Sequence, residues 1–437
     1  MSPKLANQSS AQYLASFDKF GIHLGLERIK QLLDALGNPH QQIPVIHIAG
    51  TNGKGSVCAF LLSILKAAGY RVGRYTSPHL RDWRERLSIN GEWISEQDLL
   101  LTLDQVNVAI DSEQSPTQFE VITAAMWLYF AQQNVDIAVI ETGLGGRLDA
   151  TNVCDRPLVC AITSIGLDHC QQLGNTLGAI AFEKAGIIKP ECPVIIAENA
   201  PEAIAVLQSV AAQRNAPITL VSAAQSINLE TASWQGFNYP LPLLGKHQLI
   251  NSAIAIAVIQ SLRDRGWLIS EAAMRDGMAA TQWDGRLQWM DFNLNGKSCR
   301  ILIDGAHNVA AAAYLRQFVD ETFPDQRKRW IIGILNTKDQ AGILKTLLAN
   351  EDLCYPVPID NAAATSSLEL SEIAAQYLHN QPKIYPNLSL ALEDAFGDLQ
   401  FDQVYRNELQ DVVILCGSLY LVSDFLLLNA LNIAVVT

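Results

Sequence analysis

Glycine, lysine and hydroxyl side chains crowd together in Gly50-Thr51-Asn52-Gly53-Lys54-Gly55-Ser56, a combination suited to holding phosphate. Glycines keep Cβ atoms away from an anion and permit backbone angles that let successive N–H groups converge on it. Lys54 offers a mobile positive charge to the outer phosphates, and the hydroxyl of Ser56 or Thr51 can orient a phosphate oxygen or a water on Mg²⁺. The expected nucleotide is ATP or GTP. The spacing departs from the usual G-x-x-x-x-G-K-[ST], because Gly55 stands between Lys54 and Ser56 and the first glycine is closer. A plain glycine-rich turn is the alternative, and the coincidence of lysine, hydroxyl and a strand-to-helix setting weighs against it.

Two further runs carry chemistry. Glu141-Thr142-Gly143-Leu144-Gly145-Gly146-Arg147 puts a carboxylate, three glycines and an arginine in one turn, and Thr163-Ser164-Ile165-Gly166-Leu167-Asp168-His169 ends in an acid and an imidazole. Glu141 and His169 can jointly ligate a divalent ion, although Mg²⁺ prefers oxygen and the histidine is its less usual ligand. Read singly, Glu141 serves equally well as a capping or ion-paired carboxylate, and His169 as a hydrogen-bonded loop residue.

The elements that must position these groups are short apolar runs alternating with helical stretches, the pattern of a mostly parallel sheet with helices on both faces. Val45-Ile46-His47-Ile48, Ile137-Ala138-Val139-Ile140, Leu158-Val159-Cys160-Ala161-Ile162 and Pro193-Val194-Ile195-Ile196 are the expected strands of a first sheet, and 56–65 an expected helix. Ligands bind such sheets beyond the carboxyl ends of the strands, where the turns above begin. After Trp283-Asp284-Gly285-Arg286, a hairpin turn at Asn293-Leu294-Asn295-Gly296 opens a fresh series with strands at Arg300-Ile301-Leu302-Ile303, Trp330-Ile331-Ile332-Gly333-Ile334 and Val412-Val413-Ile414-Leu415. The predicted fold class is α/β: a P-loop-type, mostly parallel sheet domain over 1–283, followed by a smaller Rossmann-like α/β domain over 284–437.

Composition narrows the function. A chain of 437 residues that is 49% hydrophobic and 17% charged can bury large cores, which argues against disorder. Its net charge of −13 and the absence of any Lys/Arg block disfavour nucleic acid as a partner. The cysteines form no Cys-x-x-Cys pair and mostly sit in apolar runs, as reduced thiols in a cytoplasmic protein do. Residues 1–10 lack the apolar stretch of a secretory signal. The apolar stretch 412–436 is interrupted by Gly417-Ser418 and Asp424, so a buried strand, turn and helix fit it better than a membrane span.

Six runs occur in order: Gly50-Thr51-Asn52-Gly53-Lys54-Gly55-Ser56; Thr76-Ser77-Pro78-His79-Leu80; Gly143-Leu144-Gly145-Gly146-Arg147-Leu148-Asp149-Ala150-Thr151-Asn152; Ser164-Ile165-Gly166-Leu167-Asp168-His169; Glu183-Lys184-Ala185-Gly186-Ile187; and Asp304-Gly305-Ala306-His307-Asn308. In these the chain closely resembles folylpolyglutamate and dihydrofolate synthases, a branch of the Mur ligase superfamily, over 21–422. The resemblance implies the Mur ligase architecture and ATP-dependent amide formation, in which a pterin carboxylate becomes an acyl phosphate and the amine of L-glutamate displaces phosphate. It implies ATP, two Mg²⁺ ions and a monovalent cation such as K⁺ as cofactors, and a cytoplasmic monomer whose partners are small molecules, with no membrane. Gly50, Thr51, Asn52, Gly53, Lys54, Gly55, Ser56, Asn251, Arg286 and Asp304 would hold ATP, Asn251 near the adenine, Asp304 near the ribose and Arg286 at the phosphates. Ser77, Glu141 and His169 would ligate one Mg²⁺.

Lys184 lies in an apolar helical context where desolvation favours the neutral amine, and a neutral amine can capture CO₂. The resemblance implies that Lys184 is carbamylated and helps hold the second Mg²⁺; a free lysine paired with Glu183 or touching phosphate is the alternative. His307 would bind the incoming glutamate and join Lys54 and Lys184 as catalytic. Thr117, Gln118, Phe119, Glu120, Leu148, Asp149 and Ala150 would meet the pterin, Phe119 offering an aromatic face. These two segments resemble the bifunctional bacterial enzymes, so both dihydropteroate and folates are expected acceptors, ahead of a monofunctional folylpolyglutamate synthase or another Mur-type ligase. Cys170, which follows His169 where threonine is common, and Lys246 depart from the family pattern, and neither is expected to touch the proposed ligands. A regulatory GTPase would need Asn-Lys-x-Asp, and Asn336-Thr337-Lys338-Asp339 has the order wrong. A non-catalytic ATP-binding scaffold would release no ADP with any acceptor.

Overall fold

The computed structural model describes residues 8–17, 21, 23–111, 114–397 and 411–436. Residues 1–7 of the N-terminal segment and Ile22 lie outside the described residues. The chain forms two compact units: the first comprises 1–166, 170–242 and 247–282, the second 167–169, 243–246 and 283–437.

The first unit is built on strands β1 (Val45–Ala49), β2 (Val72–Tyr75), β3 (Leu87–Ile89), β4 (Glu92–Trp93), β5 (Ile137–Glu141), β6 (Val159–Ile162), β7 (Val194–Ala197) and β8 (Ile218–Val221). They form one sheet in the order β4-β3-β2-β5-β1-β6-β7-β8. Every pairing from β2 to β8 is parallel, while β3 and β4 extend one edge in antiparallel fashion. All five residues of β1 and of β5 are buried, as a central parallel strand covered on both faces requires. Ala138 and Ile140 pack with helix Gln118–Gln132 in one core, and Ala49, Cys160, Ile162, Val194 and Ile196 pack with helices Leu177–Ala185 and Pro201–Gln213 in another. Helix Lys54–Ala67 follows β1 and contacts β1, β2 and β5. Strand order therefore brings the ends of β1, β5 and β6 side by side.

A second sheet of this unit, β9 (Gln225–Asn228), β10 (Thr231–Trp234) and β11 (Phe237–Pro240), is antiparallel. The sequence reading missed it because β9 is exposed throughout and none of the three strands carries an apolar run.

The second unit has strands β12 (Gln288–Leu294), β13 (Lys297–Ile303), β14 (Arg327–Ile332), β15 (Leu353–Pro356) and β16 (Asp411–Cys416), ordered β12-β13-β16-β14-β15. The hairpin between β12 and β13 turns at Asn295 (φ 52°) and Gly296 (φ 82°), two left-handed residues that match the twist of the strands they join. The remaining pairings are parallel. The apolar C-terminal stretch is strand β16, a turn at Gly417-Ser418 and helix Leu419–Val436. Among the described residues no helix is long and apolar enough to cross a membrane, and all eight cysteines are free.

Candidate active site

The chain leaves β1 through Gly50 (φ 155°), where a Cβ would stand 1.7 Å from Thr163 Oγ1, so only glycine fits. The turn is stitched to the end of β6. Thr51 N donates to Ser164 O (2.7 Å), Asn52 N to Ser164 Oγ (3.3 Å), and Thr163 Oγ1 to Asn52 O (2.7 Å). Gly53 (φ 88°) then opens helix Lys54–Ala67. The first intrahelical bond runs from Val57 N to Gly53 O, so the N–H groups of Gly53, Lys54, Gly55 and Ser56 have no intrahelical acceptor and present the positive end of the helix dipole.

The two hydroxyls of the loop make different hydrogen bonds. Thr51 Oγ1 donates to Gly166 O (3.1 Å) and accepts from Gly166 N (3.0 Å), which commits it to holding the loop. Ser56 Oγ accepts from Gln248 Nε2 (3.3 Å), which leaves its proton to donate. Asn251 donates to Gln248 Oε1 (3.0 Å) and lies against Gly53, whose hypothetical Cβ would be 2.3 Å from Asn251 Oδ1.

Two lysine Nζ atoms converge on the same carbonyl. Lys54 Nζ lies 3.0 Å and Lys184 Nζ 2.8 Å from Gly50 O, and Lys54 also reaches Thr51 O (3.2 Å) and Glu141 Oε1 (3.8 Å). Lys184 and Glu141 are buried, at 4% and 5% exposure. Ser77 N donates to Glu141 Oε2 (3.3 Å), so the tips of β2 and β5 meet. The alternative pairing of Lys184 with Glu183 is not what the fold adopts: Glu183 binds Arg147 at 2.8 Å. Gly145 and Gly146 carry the 143–152 loop over helix Leu177–Ala185, where Arg147 N donates to Glu183 O (2.7 Å) and Asn152 Nδ2 to Gly186 O (3.1 Å).

The segment 117–120 starts helix Gln118–Gln132 with a capping box: Thr117 Oγ1 accepts from Glu120 N (3.2 Å), and Glu120 Oε2 accepts from Thr117 N (2.7 Å). Arg28 Nε also donates to Glu120 Oε2 (3.1 Å), and Glu120 Oε1 is buried without a hydrogen bond. Gln118 donates to Leu14 O (3.0 Å). Phe119 lies over Gly143, whose Cβ would stand 2.4 Å from the ring, and 6.2 Å from the ring of Tyr75. That contact joins 117–120, the first segment predicted to meet the pterin, to the start of the loop that leads to the second, 148–150. In the second of them, Leu148 O accepts from Gly25 N (3.4 Å), Ala150 is buried, and Asp149 accepts from Leu144 N (2.7 Å) and Thr151 N (3.0 Å). Burial raises the Asp149 carboxyl, opposed by those N–H groups.

In the second unit, Asp304 accepts from Leu287 N and Ala306 N, both at 2.8 Å, and burial raises its carboxyl against the charge of Arg286. Arg286 Nη1 donates to Gly285 O (3.1 Å) and covers Gly305. His307 Nδ1 lies 2.8 Å from Gly305 O, which makes Nδ1 a donor, and its Nε2 lies 3.6 Å from Asp168 Oδ2. Asp168 also holds Lys338 at 2.5 Å and accepts from Asn308 Nδ2 (3.2 Å). Burial would raise the Asp168 carboxyl, but His307, Lys338 and His169 together hold it well below the usual carboxylate range. His169 has a left-handed backbone (φ 50°) and a side chain 45% exposed. Among the described residues no group of three or more His, Cys, Asp or Glu side chains gathers as a metal site.

Sequence reasoning missed Asp168 as the shared partner of His307 and Lys338, since 170 residues separate Asp168 from Lys338 and neither stands in a chemical motif with the other. It also missed Gln248 and the role of Thr163 and Ser164 in fixing the loop.

A family model described as the Mur ligase middle domain matches residues 48–259, and one described as the dihydrofolate synthetase C-terminal domain matches 288–428. The dihydrofolate synthase/folylpolyglutamate synthase of Bacillus subtilis is 34% identical over 441 residues, covering 96% of this chain and 98% of its own. The structure of E. coli FolC in complex with DHPP and ADP superposes with a TM-score of 0.84 at 32% identity, over 98% of this chain and 99% of that one. A bifunctional folylpolyglutamate synthase/dihydrofolate synthase with Mn, AMPPNP and L-glutamate bound gives 0.83 at 31% identity, over 97% and 98%.

Proposed function

We propose a mechanism from one premise: the chain belongs to the dihydrofolate synthase/folylpolyglutamate synthase family of Mur ligases, and is an ATP-dependent ligase that adds L-glutamate to folates. The observation that carries the mechanism is the convergence of Lys54 and Lys184 on Gly50 O beside Glu141, at the start of a helix with four N–H groups lacking intrahelical partners.

In the first step a carboxylate oxygen of the pterin substrate attacks the γ-phosphorus of ATP, and ADP departs with the electron pair of the broken P–O bond. In the second, the glutamate nitrogen attacks the acyl carbon, phosphate leaves with the C–O pair, and the nitrogen gives up a proton. Both are mainly positioning and charge neutralisation. Lys54, the N–H groups of 53–56 and the Ser56 hydroxyl hold the β- and γ-phosphates. Asn251 is the further ATP contact of the first unit; in the second, Arg286 and Asp304 are the residues that the resemblance implies for ATP and His307 the one for glutamate.

The buried Glu141 carboxylate and neighbouring Ser77 would offer the hard oxygen donors Mg²⁺ requires, and His169 is the third ligand that the resemblance implies. Mg²⁺ bound there supplies charge neutralisation on the transferred phosphoryl group. Lys184, 4% exposed, would as a neutral amine take up CO₂ with loss of a proton, and the resulting carbamate would be the residue to hold a second Mg²⁺; a monovalent cation such as K⁺ would complete the set. Phe119, Asp149 and their neighbours in 117–120 and 148–150 hold the pterin. The enzyme acts as a cytoplasmic monomer on both dihydropteroate and reduced folates.

ADP release is to be measured with ATP, glutamate and, in turn, dihydropteroate, tetrahydrofolate and a UDP-muramyl acceptor. Turnover with the first two is expected. Turnover with tetrahydrofolate alone would make the enzyme monofunctional, and turnover with the muramyl acceptor alone would overturn the pterin assignment. Lys184→Ala should be inactive and partly rescued by short-chain carboxylates; absence of rescue would favour the free amine.

A further inference from the structure

Among the buried titratable groups that the mechanism does not use is a histidine. His47 stands in the middle of β1, three residues before Gly50, and is fully buried. Its Nε2 lies 2.9 Å from Thr151 Oγ1, and that hydroxyl lies 2.6 Å from Asp149 Oδ1. The N–H groups of Leu144, Gly143 and Thr151 all point at the Asp149 carboxylate, which therefore acts as acceptor throughout. Thr151 must give its one proton to Asp149, so its oxygen accepts from His47. The His47 proton is thus on Nε2. Nδ1 is buried with no hydrogen-bond partner, which fits the unprotonated nitrogen of a neutral ring, and burial pushes the imidazole pKa down to about 3.

A line of hydrogen bonds consequently runs from the strand that feeds the phosphate loop to the backbone beneath Phe119: His47 to Thr151, Thr151 to Asp149, and Asp149 to the N–H groups of Leu144 and Gly143. Gly143 is the residue on which the Phe119 ring rests. An aliphatic side chain would suit the middle of a fully buried strand, and an imidazole with an orphaned nitrogen is costlier there. What the imidazole adds is one donor aimed at one hydroxyl.

We propose that His47 is a positioning residue of the acceptor subsite: through Thr151 and Asp149 it fixes the 143–149 loop against Phe119 and so sets the fit of the pterin ring. The inference rests on the reading of Phe119 and Asp149 as pterin contacts.

Steady-state kinetics on the full chain test it, with dihydropteroate and tetrahydrofolate as varied acceptors. His47→Leu and Thr151→Val should each raise the acceptor KM by about tenfold while the ATP KM stays within about twofold. His47→Gln, whose amide N–H can reach the same hydroxyl, should restore the acceptor KM. In the native protein, ¹⁵N NMR should find His47 in the Nε2–H form. If His47→Leu does not fold, Thr151→Val, which removes only the hydroxyl, carries the test. An unchanged acceptor KM in Thr151→Val, or equal rises in both KM values, would overturn the proposal. Asp149→Ala and Phe119→Ala separate it from its premise: if neither raises the acceptor KM, the subsite itself is misplaced, whereas if both do and Thr151→Val does not, the relay alone fails.

Discussion

Side chains of one chemical type are put to opposite uses a few residues apart. Thr51 and Ser56 both carry a hydroxyl in the phosphate loop, yet Thr51 exchanges two hydrogen bonds with Gly166 while Ser56 keeps its proton. Ser56→Ala should therefore lower ATP-dependent turnover with little change in thermal midpoint. Thr51→Val should lower the midpoint, because it leaves the Gly166 N–H and C=O without their partner, a loss of about 1–3 kcal/mol if both groups stay dry. Comparing turnover and thermal melts of the two variants decides the point. Lys54→Ala removes a charge 3.8 Å from Glu141 and 3.0 Å from Gly50 O and should cost about 2.7–4 kcal/mol of transition-state stabilisation, measured as a fall in kcat of about 10²–10³. Unchanged turnover would mean that the loop does not hold the reacting phosphates.

Elements, more than single residues, bring the active-site groups together. Parallel pairing of β1 with β5 and β6 aligns Ile48 with Glu141 and Ala49 with Ile162, so the turn after each strand opens at the same edge. In the second unit the register is fixed by a charge at the start of β16. Asp411 is 3% exposed and binds Arg329 at 2.5 Å and Arg327 at 2.7 Å, both from the neighbouring β14. Asp411→Ala would take from Arg329, itself 3% exposed, the carboxylate that it binds at 2.5 Å. The expected cost is about 3–5 kcal/mol, read as a shift in the denaturation midpoint at unchanged m-value. A smaller change, under about 1 kcal/mol, would show that water reaches the pair as it does a surface ion pair.

For the molecule as a whole, neutral imidazoles, one fully buried and one half-buried, set a limit on the acid side. Burial lowers the pKa of His47 and of His79 to about 3, and at His79 the charge of Arg86 adds to burial. The unfolded chain binds a proton at each of these sites below about pH 6.5 and the folded chain does not. Stability should thus be full above about pH 6.5 and fall as the pH is lowered from there toward 3. Urea midpoints measured across that window should drop, and His47→Gln should flatten the slope by about one proton. The sequence by itself determined a great deal. The Gly50 to Ser56 turn, the apolar runs of β1, β5, β6 and β16 and the Asn295-Gly296 hairpin were legible because each depends on neighbours in the chain: a glycine for a left-handed angle, a β-branched run for a buried strand. Only the tertiary structure decided that Thr51 braces while Ser56 stays available, that Lys184 meets Gly50 O, that Asp168 gathers His307 with Lys338, and that His47 reaches Asp149 through Thr151. Those choices rest on hydrogen bonds between residues about a hundred or more positions apart, apart from short steps within a loop, and direction in a hydrogen bond is set by which partners burial leaves within reach.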